Sequence, residues 1–158
     1  MKGMFAIASL AGLLLVAVAT SGSGSLRAVA SQGCTNHSLR GAYGYQGTGT
    51  IYQAGQEVGD FAAAGRVVFD GNGNLQGKQE GTNLGSPSGP QIFSGTYTVD
   101  SDCTGDATVV FVGMPQGTPA STYHFAIVEG GEQIDAAQTS EGGVLGFSLQ
   151  KQSEGGDN

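Results

Sequence analysis

From residue 41 onward, apolar and polar side chains alternate in short runs, and each run ends in a cluster of Gly, Asn, Asp, Ser or Pro. Such a two-residue period is the signature of half-buried strands, whose side chains point to opposite faces in turn. Eight runs can be delimited, at 41–53, 60–70, 74–83, 91–100, 106–114, 121–129, 132–140 and 144–152. The period is plainest at 91–100, where Phe93, Tyr97 and Val99 share one side and Ser94, Thr96 and Thr98 the other. The run 60–70 places Phe61, Ala63, Val67 and Phe69 together, and 144–152 does the same with Leu145, Phe147 and Leu149. Residues 74–83 are mostly polar and read as an exposed strand, a candidate edge. Val109-Val110-Phe111-Val112 is apolar on both sides.

The connections decide the topology. Asp70-Gly71-Asn72-Gly73-Asn74, Gly130-Gly131 and Gly142-Gly143 supply the positive φ of tight hairpins, and 54–59, 84–90, 101–105 and 115–120 read as longer links. None reaches the ten or more residues of a helical crossover, so neighbouring strands are expected to be antiparallel. Eight such strands predict an all-β, antiparallel up-and-down barrel, whose closure removes the two exposed edges of an open sheet.

The first 30 residues have another pattern. Lys2 precedes an almost wholly apolar stretch at 5–19, and Ala28-Val29-Ala30 offers a small-residue cleavage site, preferred to Ala17-Val18-Ala19. The stretch falls short of the roughly 20 residues that span a bilayer. Residues 1–30 therefore read as a signal peptide, 31–152 as the barrel domain and 153–158 as a Gly-rich, acidic tail expected to fray. The expected location is secreted or periplasmic, with no membrane span after cleavage.

Charge narrows the partners. Beyond residue 30 four basic residues, Arg40, Arg66, Lys78 and Lys151, stand against all 13 acidic ones, a formal charge of −9. Nucleic acids and anionic membranes need clustered Lys and Arg, so neither is an expected partner. Cys34 and Cys103 are the only cysteines, and in an oxidising compartment they read as a disulfide. Closing a loop of about 70 residues would stabilise the fold by about 4 kcal/mol.

The chemistry-bearing residues are few. Asp70, Asn72 and Asn74 match the first three ligands of a calcium loop, but Leu75 and Gly81 stand where Gly and Glu are needed, so a hairpin turn is the reading. Asp100, Asp102 and Asp106 read as a solvated turn. Neither metal nor cofactor is implied. No nucleophile elbow, zinc-binding His-Glu-x-x-His, phosphate loop or dinucleotide fingerprint occurs. Asn36-His37-Ser38 is a glycosylation sequon only in a eukaryotic host. Arg66, the odd residue of its run, would anchor a ligand carboxylate if its face lines a cavity, and is a solvated charge if it faces out. His124 is an acid–base candidate or a surface imidazole. Tyr97 and Tyr123 complete the candidate ligand-binding set with Arg66 and His124.

The motif Cys-Thr-Asn-x-Ser-Leu-Arg-Gly-x-Tyr-Gly-Tyr at 34–45 continues in Gly65-Arg66-Val67-Val68-Phe69-Asp70-Gly71-Asn72-Gly73-Asn74 and Phe93-Ser94-Gly95-Thr96-Tyr97-Thr98-Val99. Together these resemble a group of uncharacterised secreted bacterial proteins. Strand count and meander order also resemble, at the level of fold, the allene oxide cyclase and dirigent barrels of the wider calycin-like, lipocalin-like set. The chain has no Trp, so the lipocalin Gly-x-Trp signature is missing. Three functions stay open: binding of a small apolar or amphipathic ligand in the barrel mouth, an isomerase or cyclase activity, or a structural role with a filled barrel. The cyclase and dirigent resemblance implies a trimer, in keeping with strands that are apolar on both faces.

Overall fold

The computed structural model describes residues 33–153. The segment read as a signal peptide (1–30) and all of the tail beyond Ser153 lie outside the described residues. Eight strands form a closed barrel in chain order: β1 (Gly41–Gln53), β2 (Gln56–Phe69), β3 (Asn74–Asn83), β4 (Ser86–Val99), β5 (Thr104–Phe111), β6 (Ser121–Val128), β7 (Gln133–Gln138) and β8 (Gly143–Lys151). Every neighbouring pair is antiparallel, and β8 closes on β1 from Tyr43↔Lys151 to Ile51↔Gly143. The eight-stranded up-and-down barrel expected from the alternation is therefore the fold. The polar run β3 is no edge: it pairs with β2 on one side and β4 on the other, and its Leu75 and Gln79 are buried.

Two connections are tighter than their composition implies. The links expected at 54–59 and 84–90 are instead two-residue turns, Ala54-Gly55 and Leu84-Gly85, with φ of 50° and 76° in the first and 54° and 74° in the second. Both central residues take positive φ, as the turn that matches strand twist requires. Ala and Leu rarely adopt it, so neither pair signals a turn by residue type. β2 and β4 start earlier as a result. Residues 53–59 and 86–91 pair only within their own hairpins, which extend past the rest of the wall.

The interior is built from rings seated on glycines. Directly opposite pairs include Gly47↔Phe147, Gly65↔Tyr45, Gly77↔Phe93 and Gly105↔Phe125. In each, the ring occupies the space that a Cβ on the glycine would need. A barrel of eight strands has an interior just wide enough for side chains to fill. Alternating a ring with a hydrogen atom on the facing strand lets large side chains lie flat on the wall, the cross-strand device by which aromatic residues compensate glycine in a strand.

One end is sealed. A single 3-10 turn, Asn36–Leu39, crosses it and inserts Leu39, which has no exposed surface. Cys34 and Cys103 form the expected disulfide there, 69 residues apart. Tyr43 Oη donates to the Gly131 carbonyl at 2.6 Å, from beneath the 3-10 turn Glu129–Gly131. Tyr97 Oη donates to the Asn36 carbonyl and accepts from the Gly71 amide, each at 3.0 Å. The Asn36 side chain in turn accepts from the Val99 amide at 2.8 Å. Burial pushes the Tyr43 hydroxyl up to about 12, with the nearby Glu132 charge adding to the effect.

Polarity is distributed as in a water-surrounded barrel. Arg66, Lys78, Glu80, Asp106 and Asp135 are exposed on the outside, whereas the inside is apolar. A transmembrane barrel has the opposite arrangement. Among the described residues no helix is long and apolar enough to cross a membrane. The disulfide fits an extracellular or periplasmic location.

Candidate functional site

The end opposite the disulfide is open. Its mouth encloses about 490 Å³ between the rims of the β1–β2 and β3–β4 hairpins, the loop following β5 and the β7–β8 turn. Below it lies a smaller, almost wholly apolar cavity of about 90 Å³ in the barrel axis. Gln79, Val109, Phe111, Tyr123 and Phe147 line both spaces, so the one opens onto the other.

Strand parity explains which side chains arrive here. Phe147 faces in from β8 and meets Tyr45, Phe61 and Tyr123 edge-on, with ring centroids 6.1, 6.1 and 5.5 Å away. Phe93 meets Phe111 at 5.6 Å in the same manner. Edge-to-face contacts of this kind hold rings in place beyond the gain from burial alone. The floor of the mouth is thus a set of interlocked aromatic rings.

One polar chain crosses that floor. Tyr45 Oη donates to Gln79 Oε1 at 2.8 Å, and Gln79 Nε2 donates to Gln91 Oε1 at 2.9 Å. Gln79 is only 6% exposed and is the sole polar residue in the buried core of the described part. A buried amide without partners would cost several kcal/mol, and here each end of the amide is engaged. Gln91, half-buried at the mouth, ends the chain. Burial raises the hydroxyl pKa of both Tyr45 and Tyr123, so both rings stay neutral at any ordinary pH.

The four residues singled out from the sequence do not come together. Arg66 lies on the outer face of β2, where its Nε donates to Gln152 Oε1 at 2.8 Å. His124 also faces outward, with Nδ1 3.0 Å from Asp106 Oδ1 in an exposed pair. Tyr97 belongs to the sealed end. Tyr123 alone lines the mouth. Both outward placements follow from parity. Phe61, Ala63, Val67 and Phe69 face in from β2, so Arg66 cannot, and inward Tyr123 and Phe125 turn His124 out. The Asp70 carboxylate accepts from the Asn72 and Asn74 amides and from the Asn74 side chain, at 2.7, 2.9 and 2.7 Å, which closes the β2–β3 turn. These bonds hold its pKa below the usual carboxylate value.

Tyr45, Gln79, Gln91 and Phe147 were not singled out by residue chemistry. For Gln79 one signal was present: it falls in the inward phase of its strand with Leu75, between Gly77 and Gly81.

Fold and site together define a small closed β-barrel with one sealed end and one open, aromatic-floored mouth. No family model matches the chain, and no curated protein matches it. Among solved structures it is similar to a redesigned β-barrel, b11L5F_LGL, at 21% identity over 75% of this chain and 95% of the other, with a TM-score of 0.52. A second similar structure is Rv2717c from M. tuberculosis, at 18% identity over 73% and 94% of the two chains, with a TM-score of 0.41. The first likeness shows the barrel fold alone.

Proposed function

We propose that the open mouth holds a small apolar or amphipathic ligand. The observation that carries this reading is the mouth of about 490 Å³ over a floor of fixed rings, with one polar chain crossing that floor at Gln79 and Gln91 and further polar side chains, Asn83, Gln138 and Glu141 among them, toward the rim. Small-molecule sites fall in the range of roughly 300–1,000 Å³ and are lined mainly by apolar and aromatic side chains with a few placed polar groups. The apolar tail of the ligand would lie against Phe147, Tyr123 and Phe111, and its polar end would meet the glutamine amides. The axial cavity of about 90 Å³ admits no more than a few atoms, so the ligand sits in the mouth rather than through the barrel. Export to an oxidising compartment is part of the proposal.

Native mass spectrometry of the protein secreted by its own host tests this. A retained mass that leaves on activation supports ligand carriage, and its fragments name the class. A bare chain that binds no apolar dye contradicts it.

A filled, structural barrel is the second reading, favoured by the glycine-seated rings that leave so little axial space. Its own expected sign is self-association. Ile92, Val110 and Val112 form an exposed apolar strip on the outside of β4, β5 and the residue just after β5, at 59, 52 and 69% exposure. Covering it with a second copy of the chain would remove that surface from water. A trimer in sedimentation, dispersed by Val112→Glu, would favour this reading. A monomer at all concentrations would count against it.

A further inference from the structure

We infer that the ligand of the mouth carries an uncharged polar head, such as an alcohol or ester, rather than a carboxylate, phosphate or ammonium. The inference rests on the ligand-binding reading above and specifies its chemistry. Among the described residues no Lys or Arg lines the mouth. All four described cations are committed elsewhere. Arg66 and Lys78 face each other across β2 and β3 on the outer wall, and Arg40 is exposed at the sealed end. Lys151 lies 3.7 Å from Glu132, also at the sealed end.

Apart from Glu141 at the rim, the polar groups that face the mouth are neutral. Gln79, Asn83, Gln91 and Gln138 supply amides that both donate and accept, and Tyr123 a hydroxyl that burial keeps protonated. An anionic head placed against this floor would lose its water without gaining a counter-charge, which is the expensive way to bury an ion. Glu141, the one charged residue lining the space, would repel it further. Glu141 is itself exposed at the rim, where a partner for an ammonium head gains little. A hydroxyl or carbonyl oxygen exchanges its hydrogen bond to water for one to an amide at small net cost.

The test uses the secreted, disulfide-bonded protein and a neutral fluorescent probe, N-phenyl-1-naphthylamine, at pH 8. Four competitors share one chain length: 1-tetradecanol, methyl tetradecanoate, tetradecanoate and tetradecyltrimethylammonium. The alcohol and ester are expected to displace the probe at concentrations about tenfold or more below those of the two ions. A variant gives the converse: Gln91→Arg brings a cation to the floor and should shift the ratio of tetradecanoate to alcohol affinity about tenfold toward the carboxylate, a ratio that cancels whatever the loss of Gln79's acceptor does to both. Equal or stronger displacement by either ion overturns the head-group assignment and leaves ligand binding standing. Failure of the probe to bind at all overturns both.

Discussion

Replacing Gly47 with alanine isolates the device that fills this barrel. Gly47 faces inward on β1, directly opposite Phe147, and an added methyl would fall within the Phe147 ring itself. Gly47 does not have positive φ, so backbone strain plays no part in the outcome. The ring has little room to yield, because Tyr45, Phe61 and Tyr123 hold its other sides at 5.5–6.1 Å. Overpacking of that kind costs about 1–3 kcal/mol. For a domain of about 120 residues, each kcal/mol moves Tm by about 4 °C, so Gly47→Ala should melt about 4–12 °C lower. The control is Gly146→Ala, beside the same ring in sequence but on the outer face, with no atom within 4 Å of the new methyl. There the methyl only restricts the unfolded chain and should be neutral or stabilising by up to about 1 kcal/mol. Calorimetry on both oxidised variants reads the difference. Equal shifts, or a Gly47→Ala protein that melts with the parent, would refute the claim that rings are seated on glycines.

Three other outcomes follow from the sealed end. Replacing both cysteines with serine releases a loop of 69 residues and should lower the unfolding free energy by about 4 kcal/mol in urea, with dithiothreitol doing the same to the parent. Tyr43→Phe leaves the Gly131 carbonyl without its donor and should cost about 1–3 kcal/mol in the same assay. The parent should also unfold in alkali. The folded Tyr43 hydroxyl is raised from 10.0 to about 12, so its contribution is whole below pH 10 and is lost as pH climbs toward 12. A circular-dichroism titration should show that loss in the parent and a flatter curve in Tyr43→Phe.

Alternation and the turn clusters between runs together located all eight strands, with β2 and β4 beginning earlier than read, because burying one face of a strand imposes a period of two whatever the neighbours are. It also placed Phe61, Val67 and Phe69 inside, since the apolar face is the face that leaves water. Short connections forced antiparallel order, and an even cysteine pair in a chain read as exported implied the disulfide. Other features depended on which strands meet. Ala54-Gly55 and Leu84-Gly85 act as tight turns because the paired strands hold an Ala and a Leu at positive φ, which neither residue signals by itself. β3 looked like an edge by polarity, yet it lies between β2 and β4, its neighbours in the meander, and turns Leu75 and Gln79 inward. Arg66 and His124 were chosen for their chemistry, yet parity within a closed wall turned both outward. The polar chain Tyr45–Gln79–Gln91 joins three strands, β1, β3 and β4, through side chains 34 and 12 positions apart. No single strand contains such an arrangement, so it comes into being only when the barrel closes and sets the three side chains on one floor.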